Sequence, residues 1–135
     1  MPTIKAFRMD GLGNKFVIVD RRKDIVNITK EKIIHLGNLE SFHREIGFDQ
    51  IIFIEREIDK AFPITIFNSD GGEVSACGNG SRCVAYLLGK DLNMKEVKLK
   101  TNNRLLNAKI VGHLDVELAM GKPIFEWNKI PLLKN

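Results

Sequence analysis

Asn68-Ser69-Asp70-Gly71-Gly72-Glu73-Val74-Ser75-Ala76-Cys77-Gly78-Asn79-Gly80-Ser81-Arg82-Cys83 carries the chain from a polar, glycine-rich segment into a helix. From Gly78 onward the apolar positions Cys83, Val84, Leu87 and Leu88 recur at the three-and-four spacing of one helix face. That spacing predicts a helix from about Gly78 to Leu88, with Gly89 as its stop and Lys90 just beyond. Cys77 then falls at the helix N-terminus, between small residues that leave its backbone uncrowded. Backbone N–H groups without intrahelical partners favour a thiolate there and offer donors to a carboxylate. A small buried cysteine beside a glycine turn is the other reading of the same residues. Cys83, on the apolar face, reads as core.

Upstream, Ile4 to Met9 reads as a short strand, broken by Gly11-Leu12-Gly13-Asn14. Asn14 fits a turn residue held by its own side chain. Phe16 to Asp20 is a second strand with the look of full burial. Thr29 is placed to cap a helix, with Glu31 favourable in its first turn. Ile33, Ile34 and Leu36 supply its apolar stripe, which continues toward Leu39 and Phe42 or is interrupted at Gly37. Gly47 starts a turn, and Gln50 leads into Ile51-Ile52-Phe53-Ile54, a β-branched and aromatic run typical of a central strand. Phe62 to Phe67 is another strand, with Pro63 near its start, where a missing N–H is tolerated.

Downstream of the second helix, Val97 to Thr101, Leu105 to Val111 and Leu114 to Ala119 read as a β meander. Asn102-Asn103 and Gly112-His113 supply its turns. Residues 1–120 are therefore read as one domain, and 121–135 as a linker or a strand without its neighbour. Two helices among about seven strands make the class α+β.

A chain of 135 residues with 44% apolar and 28% charged residues is long enough for one domain with a real core. Two cysteines make no disulfide scaffold, and the short interval from Cys77 to Cys83 lacks the paired spacing of a zinc site. A reducing cytoplasm fits best. Met1 is followed by mixed charge with no apolar run, so no signal peptide is expected. No apolar stretch approaches the ~20 residues that span a bilayer, so no membrane partner is expected.

The net charge of +4 and a pI near 9.1 suit an acidic small molecule or an acidic partner. Nucleic acid is not expected. The compact basic run Arg21-Arg22-Lys23 is flanked by Asp20 and Asp24 and reads as a solvated turn, with no interleaved aromatic platform. His35, His43 and His113 lie far apart and show no ligand spacing, so no metal site is expected.

Four ordered segments surround the candidate thiol. They are Met9-Asp10-Gly11-Leu12-Gly13-Asn14-Lys15-Phe16, Ile46-Gly47-Phe48-Asp49-Gln50, Ile66-Phe67-Asn68-Ser69-Asp70-Gly71 and Ala76-Cys77-Gly78-Asn79-Gly80-Ser81-Arg82-Cys83-Val84-Ala85. With the closing Met120-Gly121-Lys122-Pro123, they resemble the N-terminal half of the diaminopimelate epimerase family in order and spacing. The resemblance implies a curved, mostly antiparallel sheet wrapped around a central helix. It also implies an isomerase that interconverts LL- and meso-diaminopimelate in lysine biosynthesis, using neither pyridoxal phosphate nor metal. Two cysteines, one from each of two similar domains, perform the acid/base step on opposite faces of the α-carbon.

On this resemblance Cys77 is the first-domain catalytic cysteine. Asn14 and Asn68 hydrogen-bond the substrate, Gln50 lines the pocket, and Gly78 and Asn79 present backbone N–H groups to the α-carboxylate. Donors held at that carboxylate stabilise the enolate-like charge that develops as the proton leaves.

The chain departs from the family pattern at Asp10, where His is usual, at Lys15, where Asp is usual, and at Glu45, where a small residue is common. The larger departure is length, because the family is about twice as long and its second domain brings the partner cysteine. A helix rises ~1.5 Å per residue, so Cys83 on the same helix does not reach the opposite face of one carbon. The chain is therefore expected to be inactive alone and to prefer a partner, either the second epimerase domain or another copy of itself. The rival expectations are a degenerate, non-catalytic or interaction domain of the same fold, or a related racemase or isomerase that also works without pyridoxal phosphate.

Overall fold

The computed structural model describes residues 5–11, 13–23, 27–38, 47–74, 78–102, 104–113 and 115–123. Along the chain lie β1 Lys5–Gly11, β2 Asn14–Asp20, α1 Lys30–Gly37, β3 Gln50–Ile54, β4 Phe62–Asn68 and β5 Glu73–Val74. Then come α2 Gly78–Leu92, β6 Glu96–Lys100, β7 Arg104–Gly112 and β8 Asp115–Pro123. The strands form one sheet in the order β1-β2-β3-β4-β6-β7-β8, with β5 paired to β4. Neighbours are antiparallel except β2/β3 and β4/β6. Parallel neighbours need a crossover, and each crossover here contains one of the helices.

The two helices lie on opposite faces, which explains the unbroken apolar runs of the central strands. On one face Phe16, Ile18, Ile52, Ile54, Ile64 and Ile66 pack with Val84, Ala85 and Leu88 of α2. On the other, Val19, Ile51 and Phe53 pack with Ile33 of α1 and with Phe48. Full burial of each large side chain contributes about 1.5–3 kcal/mol, so both faces stabilise these strands. The α2 face continues through Val97, Leu99, Leu106 and Ala108.

A single helix touches β1, β3, β6, β7 and β8. Strands are spaced about 4.8 Å apart, and a helix with its side chains is about 10 Å across. A flat sheet of this order would put β1 and β8 far beyond the reach of one helix. The sheet therefore curves around α2, as the resemblance to the epimerase family implies.

The second helix runs past the expected stop at Gly89 to Leu92. The cause is packing. A Cβ on Gly89 would lie 1.9 Å from Ile110 Cδ1 and 2.8 Å from the Met94 carbonyl oxygen. At Gly89, α2 thus packs against Ile110 of β7 too closely for a side chain. The helix ends at Asn93, which takes φ 55°, and the Met94 N–H donates to the Gly89 carbonyl at 2.9 Å, as in a Schellman ending.

The first helix is capped by Thr29, whose hydroxyl accepts from the Lys32 N–H, and it stops at Gly37 with Asn38 as C-cap. Of the two readings of its stripe, the interrupted one holds. Leu39 and Phe42 lie outside the described residues. Gly37 is buried, and a Cβ there would lie 2.7 Å from Ser69 Cβ.

Other differences are local. Asn14 is the first residue of β2, paired with Gly11, so it belongs to the strand and Gly13, at φ +86°, makes the turn. β5 is too short to leave a periodic signature. Arg21 and Arg22 do not form a solvated turn: both are half-buried. Arg21 pairs with Glu55 and stacks over Phe53, its Cζ 4.2 Å from the ring centroid. Arg22 bonds Asp20 and Asp91, each at 2.8 Å. The hydrogen bond to Asp20 outweighs burial, and together with Asp91 it raises the Arg22 pKa and keeps the guanidinium charged.

Gly89→Ala separates the two roles of that glycine. In an open helix Ala gains about 0.5–1 kcal/mol over Gly, whereas overpacking costs about 1–3 kcal/mol. The backbone oxygen of Met94 does not rotate away, so a net loss of about 1–2 kcal/mol is expected in urea denaturation. A variant at least as stable as the parent would mean that α2 is free to shift.

Candidate active site

Register collects three amides from separate parts of the sequence. Phe16 faces α2 in the core, and side chains two apart on a strand share a face, so Asn14 also lies on the α2 side. Gln50 is the register partner of Phe16, and Asn68 is the register partner of Gln50. Asn14, Gln50 and Asn68 therefore sit on adjacent strands, on one face and at one end. The Gln50 Nε2 amide donates to Asn68 Oδ1 at 3.0 Å. Gln50 Oε1 is buried and has no hydrogen-bond partner among the described residues.

The direction of α2 brings its first turn to the same end. Its last turn is held at the opposite end, where Asp91 bonds Arg22, just beyond the end of β2. A cavity of about 300 Å³ there is lined by Asp20, Arg22, Ile54, Leu87, Leu88 and Asp91. α2 thus runs in the same sense as β2 and β3, with Gly78 and Asn79 at the end that carries the amides. The chain path agrees. Val74 pairs with Ile66, next to the end of β4, and a short link of at most ~3.5 Å per residue leads from it to Gly78. Gly78 is exposed and Asn79 half-buried, and Asn79 Oδ1 accepts from Arg82 Nη1 at 3.5 Å. Cys77, the expected catalytic residue, lies outside the described residues. Cys83 is half-buried against the α2-side core, where the helical spacing puts it.

Asp49 joins three segments of this end. Its Oδ2 accepts from the Lys15 N–H at 2.8 Å, its N–H donates to the Lys15 carbonyl at 2.9 Å, and its carbonyl accepts from the Ser69 N–H at 3.0 Å. It ties the starts of β2 and β3 to the end of β4, so it holds the frame that carries Asn14, Gln50 and Asn68. Its place in Gly47-Phe48-Asp49-Gln50 was the available sequence signal. The turn after Asn68 is closed by Asp70, whose Oδ1 accepts from the Gly72 N–H at 2.7 Å.

The departures Asp10 and Lys15 are register partners across β1 and β2. Lys15 alternates with Asn14 and so lies on the α1 side of the sheet, with Val17 and Val19. The Lys15 side chain is therefore on the face away from the amides. Glu45 lies outside the described residues. His113 meets Tyr86, its Nδ1 3.4 Å from the hydroxyl, and His35 is exposed on α1. Among the described residues no three His, Cys, Asp or Glu side chains gather as a metal-holding group. No helix of the described residues is long and apolar enough to cross a membrane.

Known proteins similar to this chain fall in one family and one fold. The profile of the family described as Diaminopimelate epimerase matches residues 6–126. The chain is 47% identical over 131 residues to the diaminopimelate epimerase of Pelagibacter ubique, covering 97% of this chain and 46% of that protein. It is 40% identical over 125 residues to that of Acidiphilium cryptum, covering 93% and 44%. The chain thus spans less than half the length of these relatives.

Among solved structures it is similar to a PhzF-family phenazine biosynthesis protein from Bacillus anthracis, with a TM-score of 0.60, 20% identity, and 89% of this chain and 40% of that one covered. A phenazine biosynthesis PhzC/PhzF protein from Clostridium difficile gives 0.61 at 17% identity, covering 82% and 41%. At such identities the likeness is one of fold.

Removal of one amide tests the coupling between these strands. Asn68→Ala leaves the half-buried Gln50 Nε2 without its acceptor and is expected to cost about 1 kcal/mol in denaturant unfolding. Asn68→Asp keeps an acceptor oxygen in place and is expected to recover most of that loss. Equal losses in both variants would mean that the Gln50–Asn68 bond contributes nothing.

Proposed function

The chain belongs to the diaminopimelate epimerase family, and on that premise we propose that it is the first half of an isomerase that inverts the α-carbon of diaminopimelate. The observation that carries this is the meeting of Asn14, Gln50 and Asn68 at the sheet end where α2 begins. In this reading Asn14 and Asn68 hydrogen-bond the substrate and Gln50 lines its pocket. Gly78 and Asn79 give the α-carboxylate their backbone N–H groups, which lack intrahelical partners in the first turn. Neutral amides suit a zwitterion because they offer donors and acceptors without burying a net charge.

Cys77 exchanges the α-proton on one face, as thiolate when it removes the proton and as thiol when it returns one. Donors at the carboxylate oppose the charge that builds up as the proton leaves. A free thiolate of this kind suits a reducing cytoplasm. The opposite face needs a second acid/base group. Cys83 does not supply it, being fixed in α2 against the core. The second group comes from the second epimerase domain or from a second copy of the chain. The degenerate-domain reading drew its support from Asp10 and Lys15, and Lys15 lies on the face away from the amides.

The direct test is deuterium incorporation at the α-carbon of diaminopimelate. The chain alone is expected to give no sustained exchange. Mixed with a separately produced second half, it is expected to give exchange that Cys77→Ala abolishes. Binding of the two halves without exchange would support the degenerate reading. Sustained exchange by the chain alone, insensitive to Cys77→Ala, would remove the proposed role of that cysteine.

Thiol reactivity gives an independent measurement. In the folded chain Cys77 is expected to alkylate faster than Cys83 near neutral pH, with the site assigned by mass spectrometry. Faster labelling of Cys83 would contradict the proposed thiolate.

A further inference from the structure

The end of the domain opposite the amides carries a concavity that the proposed reaction does not use. β6 runs parallel to β4, and β7 antiparallel to β6. β4 ends at the amides, so β7 ends away from them, where α2 also ends. Between these two ends lies a groove of about 910 Å³. Met94 and Val111 line it, each 45% exposed. Lys90, Lys95 and Lys109 line it too, with His113, and no carboxylate does so among the described residues.

Local structure accounts for only part of this charge. Lys90 sits in the last turn of α2, where a cation complements the helix dipole, and its Nζ lies 5.6 Å from the centre of the Tyr86 ring. Lys109 has Glu96 and Glu117 as register partners on its two sides. Lys95 has neither kind of neighbour. All three lysines are exposed, and among the described residues none of them is held in an ion pair.

The backbone of the groove is already satisfied at two points. The Met94 N–H donates to the Gly89 carbonyl at 2.9 Å, and the Ile110 N–H to the Lys95 carbonyl at 2.7 Å. Recognition there falls to side chains, which offer ammonium groups beside apolar surface. A small inorganic anion would leave Met94 and Val111 wet. Nucleic acid would find no arginine in the lining and no ring but that of His113.

We propose that this groove is a docking site for an acidic segment of a partner protein, one that alternates carboxylates with apolar side chains. The apolar side chains cover Met94 and Val111, and the carboxylates pair with Lys90 and Lys95. Charge complementarity of this kind gives specificity and a salt-sensitive encounter. It also gives a place to the acidic partner that the net charge of +4 suits. The site is independent of the amide end and of the reaction proposed there.

The probe is a short fluorescent peptide alternating Glu and Leu, titrated with the whole chain and followed by anisotropy. Lys95→Glu is expected to weaken binding roughly 5- to 10-fold, and Met94→Ser roughly 3- to 5-fold. Both positions are exposed, so neither change reaches the core. Lys32→Glu makes the same change in net charge on α1, across the sheet, and is expected to leave binding within about twofold of the parent. Equal losses from Lys95→Glu and Lys32→Glu would overturn the proposal, because attraction would then follow net charge alone. So would equal affinity for a peptide of Glu without Leu, or no peptide binding at all. Binding to phosphatidylserine vesicles but not to the peptide, lost in Lys95→Glu, would assign the groove to a membrane instead.

Discussion

The close approach of α2 to the sheet governs the rest of the molecule. At Gly89 there is no room for even a methyl group between the helix and Ile110 of β7. Val84 and Ala85, both fully buried, continue that contact along the helix. Because α2 lies so near the strands, the sheet wraps it instead of lying flat. The bridge from Arg22 to Asp20 and Asp91 then holds the last turn of the helix to the end of β2. Depth and axial position are thus both set far from Gly78. A rigid helix carries that setting to its other end, where its first turn meets the amides of β2, β3 and β4.

What the sequence disclosed about this arrangement followed the range of each interaction. Ile51-Ile52-Phe53-Ile54 and Phe62 to Phe67 were legible as strands because burial on both faces writes a continuous apolar run. Thr29 was legible as a cap because its partner, the Lys32 N–H, is three residues away. Gly89 is ambiguous in the sequence because a glycine that ends a helix and a glycine that admits a neighbouring strand look alike locally. Only the position of Ile110 separates them. Arg21 and Arg22 looked solvated because Glu55 and Asp91, their distant partners, are brought near by the fold. Asp49 carried no periodic or catalytic signature, since its function is to join Lys15 and Ser69.

The candidate site was legible in a different way. Each of Asn14, Gln50 and Asn68 was marked by a motif that resembles the family, but nothing local said that they meet. Their meeting is a consequence of register. On β2, β3 and β4 the face toward α2 reads Phe16, Ile52 and Ile66 in the core, and the next position outward on each strand is an amide. The core therefore gives way to a layer of neutral polar groups in a single step. Slipping one strand by one residue would turn its amide to the α1 side and bring a polar or charged group into the core. The fold that buries the isoleucines is the same fold that collects the amides.

Folding and the proposed chemistry nevertheless have different minimal units. The core on the α2 face is completed by strands and a helix of this chain alone. Nothing outside it is needed to cover Ile18, Ile52 or Leu99, which are all at most 1% exposed. Inversion at a carbon has a stricter geometric requirement, because proton donor and acceptor must stand on opposite sides of it. The amide layer and the first turn of α2 form one wall, and a single wall presents its groups to one side of a ligand. A domain can therefore be complete as a folded body and half-complete as a catalyst.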